Sequence, residues 1–90
     1  MSVKVKIHRI HRHLTGGLET VEVGGRTVGN CLRELAGLYP GMEKVLFKPG
    51  GKLHPLIEIY LNSKSAYPDE LNKPVKDGDE IYLTLLLAGG

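Results

Sequence analysis

The feature that most constrains this chain is a single helical stripe enclosed by strand-like segments on both sides. Val28, Cys31, Leu32, Leu35 and Leu38 recur at the spacing of an amphipathic helix, Thr27 stands where an N-cap belongs, and Tyr39-Pro40-Gly41 stops the run. Before it, Val3, Val5 and Ile7 alternate with Lys4, Lys6 and His8. After the Thr15-Gly16-Gly17 turn signal, Leu18, Val21 and Val23 are set among Glu19, Thr20 and Glu22, so the chain opens on two strands joined as a hairpin. Beyond the helix, Leu56-Ile57-Glu58-Ile59-Tyr60-Leu61 is β-branched and aromatic enough for a third strand, closed by Asn62-Ser63. Pro74 to Asp79 is a turn-rich approach to a last strand, Glu80 to Leu85, with Ile81, Leu83 and Leu85 on one face. The stretch from Met42 to Pro55 reads as a loop anchored by Val45-Leu46-Phe47.

One helix must share a core with all of these strands, so it lies across one face of a mixed sheet of four to five strands. That arrangement is an α+β fold of the β-grasp, or ubiquitin-like, kind. Ninety residues close one core only: a domain over residues 1–86 and a flexible tail over residues 87–90. So small a domain leaves little volume for an enclosed site of several catalytic groups, which argues against an enzyme in its own right. Apolar runs of a few residues exclude a transmembrane helix or signal-peptide core, and the expected compartment is the cytoplasm. Cys31, the single cysteine, permits neither a disulfide nor a multi-thiolate zinc site, and its place in the helical stripe makes it a core thiol.

Charge is unevenly spread. Lys4, Lys6, Arg9 and Arg12 make the opening segment basic, whereas Asp69, Glu70, Asp77, Asp79 and Glu80 face only Lys73 and Lys76 and would repel phosphate, which argues against nucleic acid. His8, His11 and His13 raise the question of a metal. As a strand, the segment would put His11 and His13 on one side and His8 on the other, with no Cys, Asp or Glu to complete a site, so no metal is expected. No two of the tyrosines share a clear strand face near this basic end, so no stacking platform is expected either.

The chemistry concentrates in Leu85-Leu86-Leu87-Ala88-Gly89-Gly90. Two glycines without Cβ atoms can enter a narrow channel, and four residues from Leu87 reach roughly 13 Å. The Gly90 carboxylate is a poor acyl donor until activated, so a partner would have to adenylate it with ATP before sulfur or amine attack. Leu86 falls on the face opposite Ile81, Leu83 and Leu85, and Leu86 and Leu87, with Ala88 and Gly89, are the expected grip for such a partner.

These residues resemble the MoaD/ThiS sulfur-carrier family, ubiquitin-like β-grasp domains ending in Gly-Gly. The resemblance covers most of the chain and rests on Gly51-Lys52-Leu53-His54-Pro55-Leu56-Ile57-Glu58-Ile59-Tyr60-Leu61-Asn62, on Pro74-Val75-Lys76-Asp77-Gly78-Asp79-Glu80-Ile81, and on Ala88-Gly89-Gly90. It implies that Gly90 is adenylated by a ubiquitin-activating-like enzyme and converted, with sulfur from a donor, to a thiocarboxylate that serves cofactor or amino-acid synthesis. No permanently bound cofactor is implied, ATP being used by the activating enzyme. The length, and the long segment before Gly51-Lys52-Leu53-His54-Pro55, are more similar to MoaD than to ThiS members, which implies the small subunit of molybdopterin synthase beside a MoaE-like partner. Departures are Leu85-Leu86-Leu87, where many MoaD-type members have prolines, and Ser63, where glycine is common. Sulfur delivery for thiamin, tungsten cofactor, cysteine or methionine, or conjugation to lysines as a ubiquitin-like modifier, would use the same terminus. A β-grasp interaction or nucleic-acid-binding module is the reading of another class.

Overall fold

The computed structural model describes residues 2–85. It contains β1 (Val3–Lys6), β2 (Thr20–Val23), α1 (Val28–Leu38), α2 (Glu43–Leu46), β3 (Ile57–Leu61), β4 (Lys64–Ser65) and β5 (Glu80–Leu85). The strands form one sheet in the order β2-β1-β5-β3-β4. β1 and β5 run parallel at its centre and every other pair is antiparallel, the mixed β-grasp sheet expected. The fifth strand, β4, comes from the Asn62-Ser63 turn. Both residues have positive φ, 51° and 71°, as a two-residue hairpin turn requires, and Ser63 takes this conformation where glycine would do so without a Cβ clash.

Alternation decides which strand face is buried. Val3 and Val5, Ile57 and Ile59, and Ile81 and Leu83 close against Val28, Cys31, Leu32 and Leu35 of α1. At roughly 1.5–3 kcal/mol for each large aliphatic side chain buried, this layer is the main stabilising contribution. The Thr27 Oγ1 caps α1 by accepting from the Asn30 N–H at 3.1 Å. Gly29 is required by packing, since a Cβ there would stand 2.8 Å from the Leu71 carbonyl oxygen.

Four local expectations change. Residues Arg9–Thr15 form a 3-10 helix rather than a strand continuation: His8 Nδ1 accepts from the Ile10 N–H, and Gly16, at φ 64°, ends the turn. β2 accordingly starts at Thr20, and Leu18 is exposed. Leu38 leaves the helical stripe and is 57% exposed, because Tyr39-Pro40-Gly41 turns the chain before a second layer can cover it. The Met42–Pro55 stretch contains α2, in which Leu46 is the fully buried anchor while Val45 and Phe47 are half-buried. No helix among the described residues is long and apolar enough to cross a membrane.

Candidate functional site

Gly90, Gly89, Ala88, Leu87 and Leu86, and with them the expected boundary between domain and tail, lie outside the described residues. What carries them is β5, which brings the chain up the centre of the sheet to Leu85, directly opposite Ile57 at the start of β3. Ladder bonds to β1 and β3 hold this strand on both sides. Tyr82 and Thr84 occupy the open face, away from α1.

Tyr82 is paired with Tyr60 across β3 and with Lys6 across β1, so two tyrosines do share a strand face beside a basic residue. That pair comes from register between segments about twenty residues apart in sequence, which local spacing does not contain. Glu58, two residues along the same face, pushes the Tyr60 phenol up. Lys6 is held by Glu80 at 3.5 Å.

At the opposite end of the sheet the last residue of the first internal motif, Asn62, meets the second motif at Asp79 and Glu80. Asn62 Nδ2 donates to Asp79 Oδ1 at 3.0 Å, and the Lys76 N–H donates to Asp79 Oδ2 at 2.9 Å. The Glu80 N–H donates to Asn62 Oδ1, and the Asn62 N–H to the Glu80 carbonyl, both at 2.9 Å. The Lys4 N–H donates to the Asp79 carbonyl, tying in β1. These donors hold the Asp79 carboxyl below the usual carboxylate range, with Asn62 the larger cause. Asn62 and Asp79 therefore lock the start of β5 to the end of β3.

The Leu85 end is different. His8, Arg9 and Arg12 follow β1 there, with the Arg12 Nε donating to the Ile7 carbonyl at 3.1 Å, and His54 precedes β3. His11 and His13 stand on the 3-10 helix that His8 caps, not together on one side of a strand with His8 on the other. Burial, then the charges of His8 and His13, push His11 down. Among the described residues no three His, Cys, Asp or Glu side chains are grouped to hold a metal ion. Cys31 is fully buried in the core, as its place in the stripe implies, and burial pushes its thiol up.

A groove of about 920 Å³ opens between the second half of α1 and residues 47–54, with Arg33, Lys44, Phe47 and Lys48 among its walls. Sequence reasoning did not single it out. The available signal was Lys44, Lys48 and Lys52 spaced around Phe47-Pro49-Gly50-Gly51, a cationic rim about an aromatic and a sharp turn.

No family model matches the chain. Over 93 residues it is 34% identical to the sulfur carrier protein CysO of Mycobacterium tuberculosis, covering 100% of each chain. It is also 34% identical over 77 residues to small archaeal modifier protein 1 of Haloferax volcanii, covering 82% of this chain and 85% of the relative. Its fold superposes on a chain of the BexX/CysO complex of Amycolatopsis orientalis with a TM-score of 0.87 and 35% identity, covering 98% and 99% of the two chains. The match to a chain in the complex of subunits 1 and 2 of the molybdopterin-converting factor from Helicobacter pylori has a TM-score of 0.60 and 26% identity, with 100% of each covered. In both of these structures the β-grasp relative is bound to a second protein. With a full-length carrier relative, a β-grasp sheet in the expected order and the matching motifs locked at one end of it, the chain belongs to the ubiquitin-like β-grasp family of sulfur-carrier proteins.

Proposed function

We propose that this protein carries sulfur as a thiocarboxylate on Gly90 and is a protein co-substrate, with no catalytic side chains of its own. The Gly90 carboxylate attacks the α-phosphate of ATP on a partner enzyme and pyrophosphate leaves. A donor sulfur at the oxidation level of sulfide then displaces AMP. Ala88 and Gly89 let the terminus enter a narrow channel, and Leu86 and Leu87 give the activating enzyme its grip.

The observation that carries this reading is the full-length similarity to the sulfur carrier CysO. The same comparison bears on the acceptor. The molybdopterin reading draws support from the Helicobacter pylori complex at 26% identity and a TM-score of 0.60, less than the 35% and 0.87 of the CysO complex. A carrier of the CysO kind, with an acceptor other than molybdopterin, cysteine among those open from the sequence, therefore leads. The second reading, a modifier joined to lysines through Gly90, is favoured by the 34% identity to the archaeal modifier.

Intact-mass analysis of the protein from its native cells, under non-reducing conditions and with fragmentation of the terminus, separates these readings. One Gly90 carboxylate oxygen replaced by sulfur is the expected result. Isopeptide-linked partners with no thiocarboxylate would favour the modifier. An unmodified terminus together with no ATP-dependent adenylation in host extract would sink both and leave the interaction module.

A further inference from the structure

The groove between α1 and residues 47–54 is built rather than incidental. Its floor is the half-buried ring of Phe47, with the Arg33 guanidinium 6.0 Å from the ring centroid. Its shape is held by backbone bonds from Lys48 N–H to the Lys52 carbonyl at 2.8 Å and from Gly51 N–H to the Lys48 carbonyl at 2.9 Å. Phe47 and Leu53 form a β-bridge across the same turn. His54 closes one side, its N–H donating to the Leu46 carbonyl at 2.7 Å and its Nδ1 accepting from the Leu56 N–H at 3.1 Å. Holding a turn in this way removes most of the ordering cost a ligand would otherwise have to offset.

None of the cations around this floor is in an ion pair within the described residues, and only Arg33 has a partner there, the Phe47 ring. Arg33, Lys44 and Lys48 are exposed, and the one ion pair among the described residues is Lys6–Glu80, on the open face of the sheet. Glu43 is the lone acid in the groove wall. Three cations set around an aromatic floor complement an acidic segment that also presents an apolar side chain. Glu43 in the wall favours spaced carboxylates, which can avoid it, over a continuous phosphate backbone, which it would repel.

We infer that this groove docks an acidic segment of a protein partner, an apolar residue of that segment resting on Phe47 while its carboxylates meet Lys44, Lys48 and Arg33. The groove borders His54, three residues before the strand position opposite Leu85, so the segment would hold the domain at the end to which β5 delivers the chain. That placement deepens the carrier reading and rests on it, but the groove's preference for an acidic segment does not.

The test titrates the full-length, 15N-labelled protein with a short Asp/Glu peptide bearing one central Leu, with its Asn/Gln counterpart, and with oligothymidylate. Saturable shifts are expected at Gly37, Phe47, Gly50 and Gly51 with the acidic peptide. They should weaken at least about tenfold in the folded Lys44→Glu/Lys48→Glu variant and on raising salt from low to physiological strength. No saturable shift, equal weakening by Lys73→Glu remote from the groove, or tighter binding of oligothymidylate at the same amides overturns the proposal. In a parallel adenylation assay with host extract, the double variant should raise KM at unchanged kcat. If even the unaltered protein is not adenylated, the carrier reading falls while the peptide titration still decides the groove.

Discussion

The two ends of the sheet solve opposite problems. At the Asp79 end, polar groups are spent on one another: Asn62, Asp79 and the backbone of Lys4, Lys76 and Glu80 satisfy each other across three strands. At the Leu85 end, Arg9, Lys44, Lys48 and Lys52 are exposed and no carboxylate among the described residues pairs with them. Residues that answer one another's hydrogen bonds fix a fold, and cations left unanswered around a groove are disposed to meet another molecule. A motif shared with a carrier family therefore does not by itself mark a reactive group. Of the shared internal residues, Asn62, Lys76, Asp79 and Glu80 hold the start of the strand that leads toward the terminus.

The contrast can be broken from either side. Its largest expected consequence lies at the terminus: deleting Gly89 and Gly90 should abolish ATP-dependent adenylation while leaving the thermal unfolding midpoint within experimental error. Retained adenylation would move the chemistry off Gly90.

Next in size is Asp79→Ala, which strands the Lys76 N–H and one Asn62 donor and should cost about 1–3 kcal/mol in urea unfolding. Adenylation of the folded variant should persist. Asp79 also sets a pH dependence. Its carboxyl is pushed below the ordinary value of 3.8, so its contribution to stability is present above that value and lost as pH falls through the lower, native one. The gap in stability between the parent protein and Asp79→Ala should therefore close on acidification below pH 3.8. A gap that holds constant would remove the carboxylate from the lock.

The smallest effect tests the core between the two ends. Cys31 is sealed and its thiol is pushed up by burial, then by Glu34 and Asp79, so the native protein should resist alkylation near neutral pH. Cys31→Ala should cost about 1 kcal/mol and leave sulfur transfer intact. Loss of transfer in a folded Cys31→Ala variant would give the thiol a role that its burial argues against.

Much of this fold was legible because its elements carry their own periodicity. The alternation Val3-Val5-Ile7, the stripe Val28-Cys31-Leu32-Leu35 and the Thr27 cap are local signals, and the structure realises each. The His11 and His13 placement was not legible, because a capping histidine and a left-handed Gly16 redirect the chain after an apparent strand. The Tyr60–Tyr82 pair and the groove escaped for another reason: the pair exists only once β5 lies beside β3, and the groove only once the turn after α2 folds back toward the second half of α1. Of the candidate site, the sequence showed the Gly-Gly terminus, the leucines before it and the basic opening segment with Arg9 and Arg12, but not that this segment lies beside the Leu85 end or that Lys44 and Lys48 line a groove there.

By itself the sequence determined the fold class and the core thiol and pointed to the terminal residues on which the proposed chemistry would rest, since period, capping and terminal composition act within a few neighbours along the chain. Only the tertiary structure decided that Asn62 and Asp79 form one lock, that two tyrosines stand side by side, and that Arg33, Lys44 and Lys48 surround Phe47. Those relations depend on strand order and register. Both are set by burying one face of each of β1, β2, β3 and β5 against one helix, a constraint on the whole chain that no local segment records.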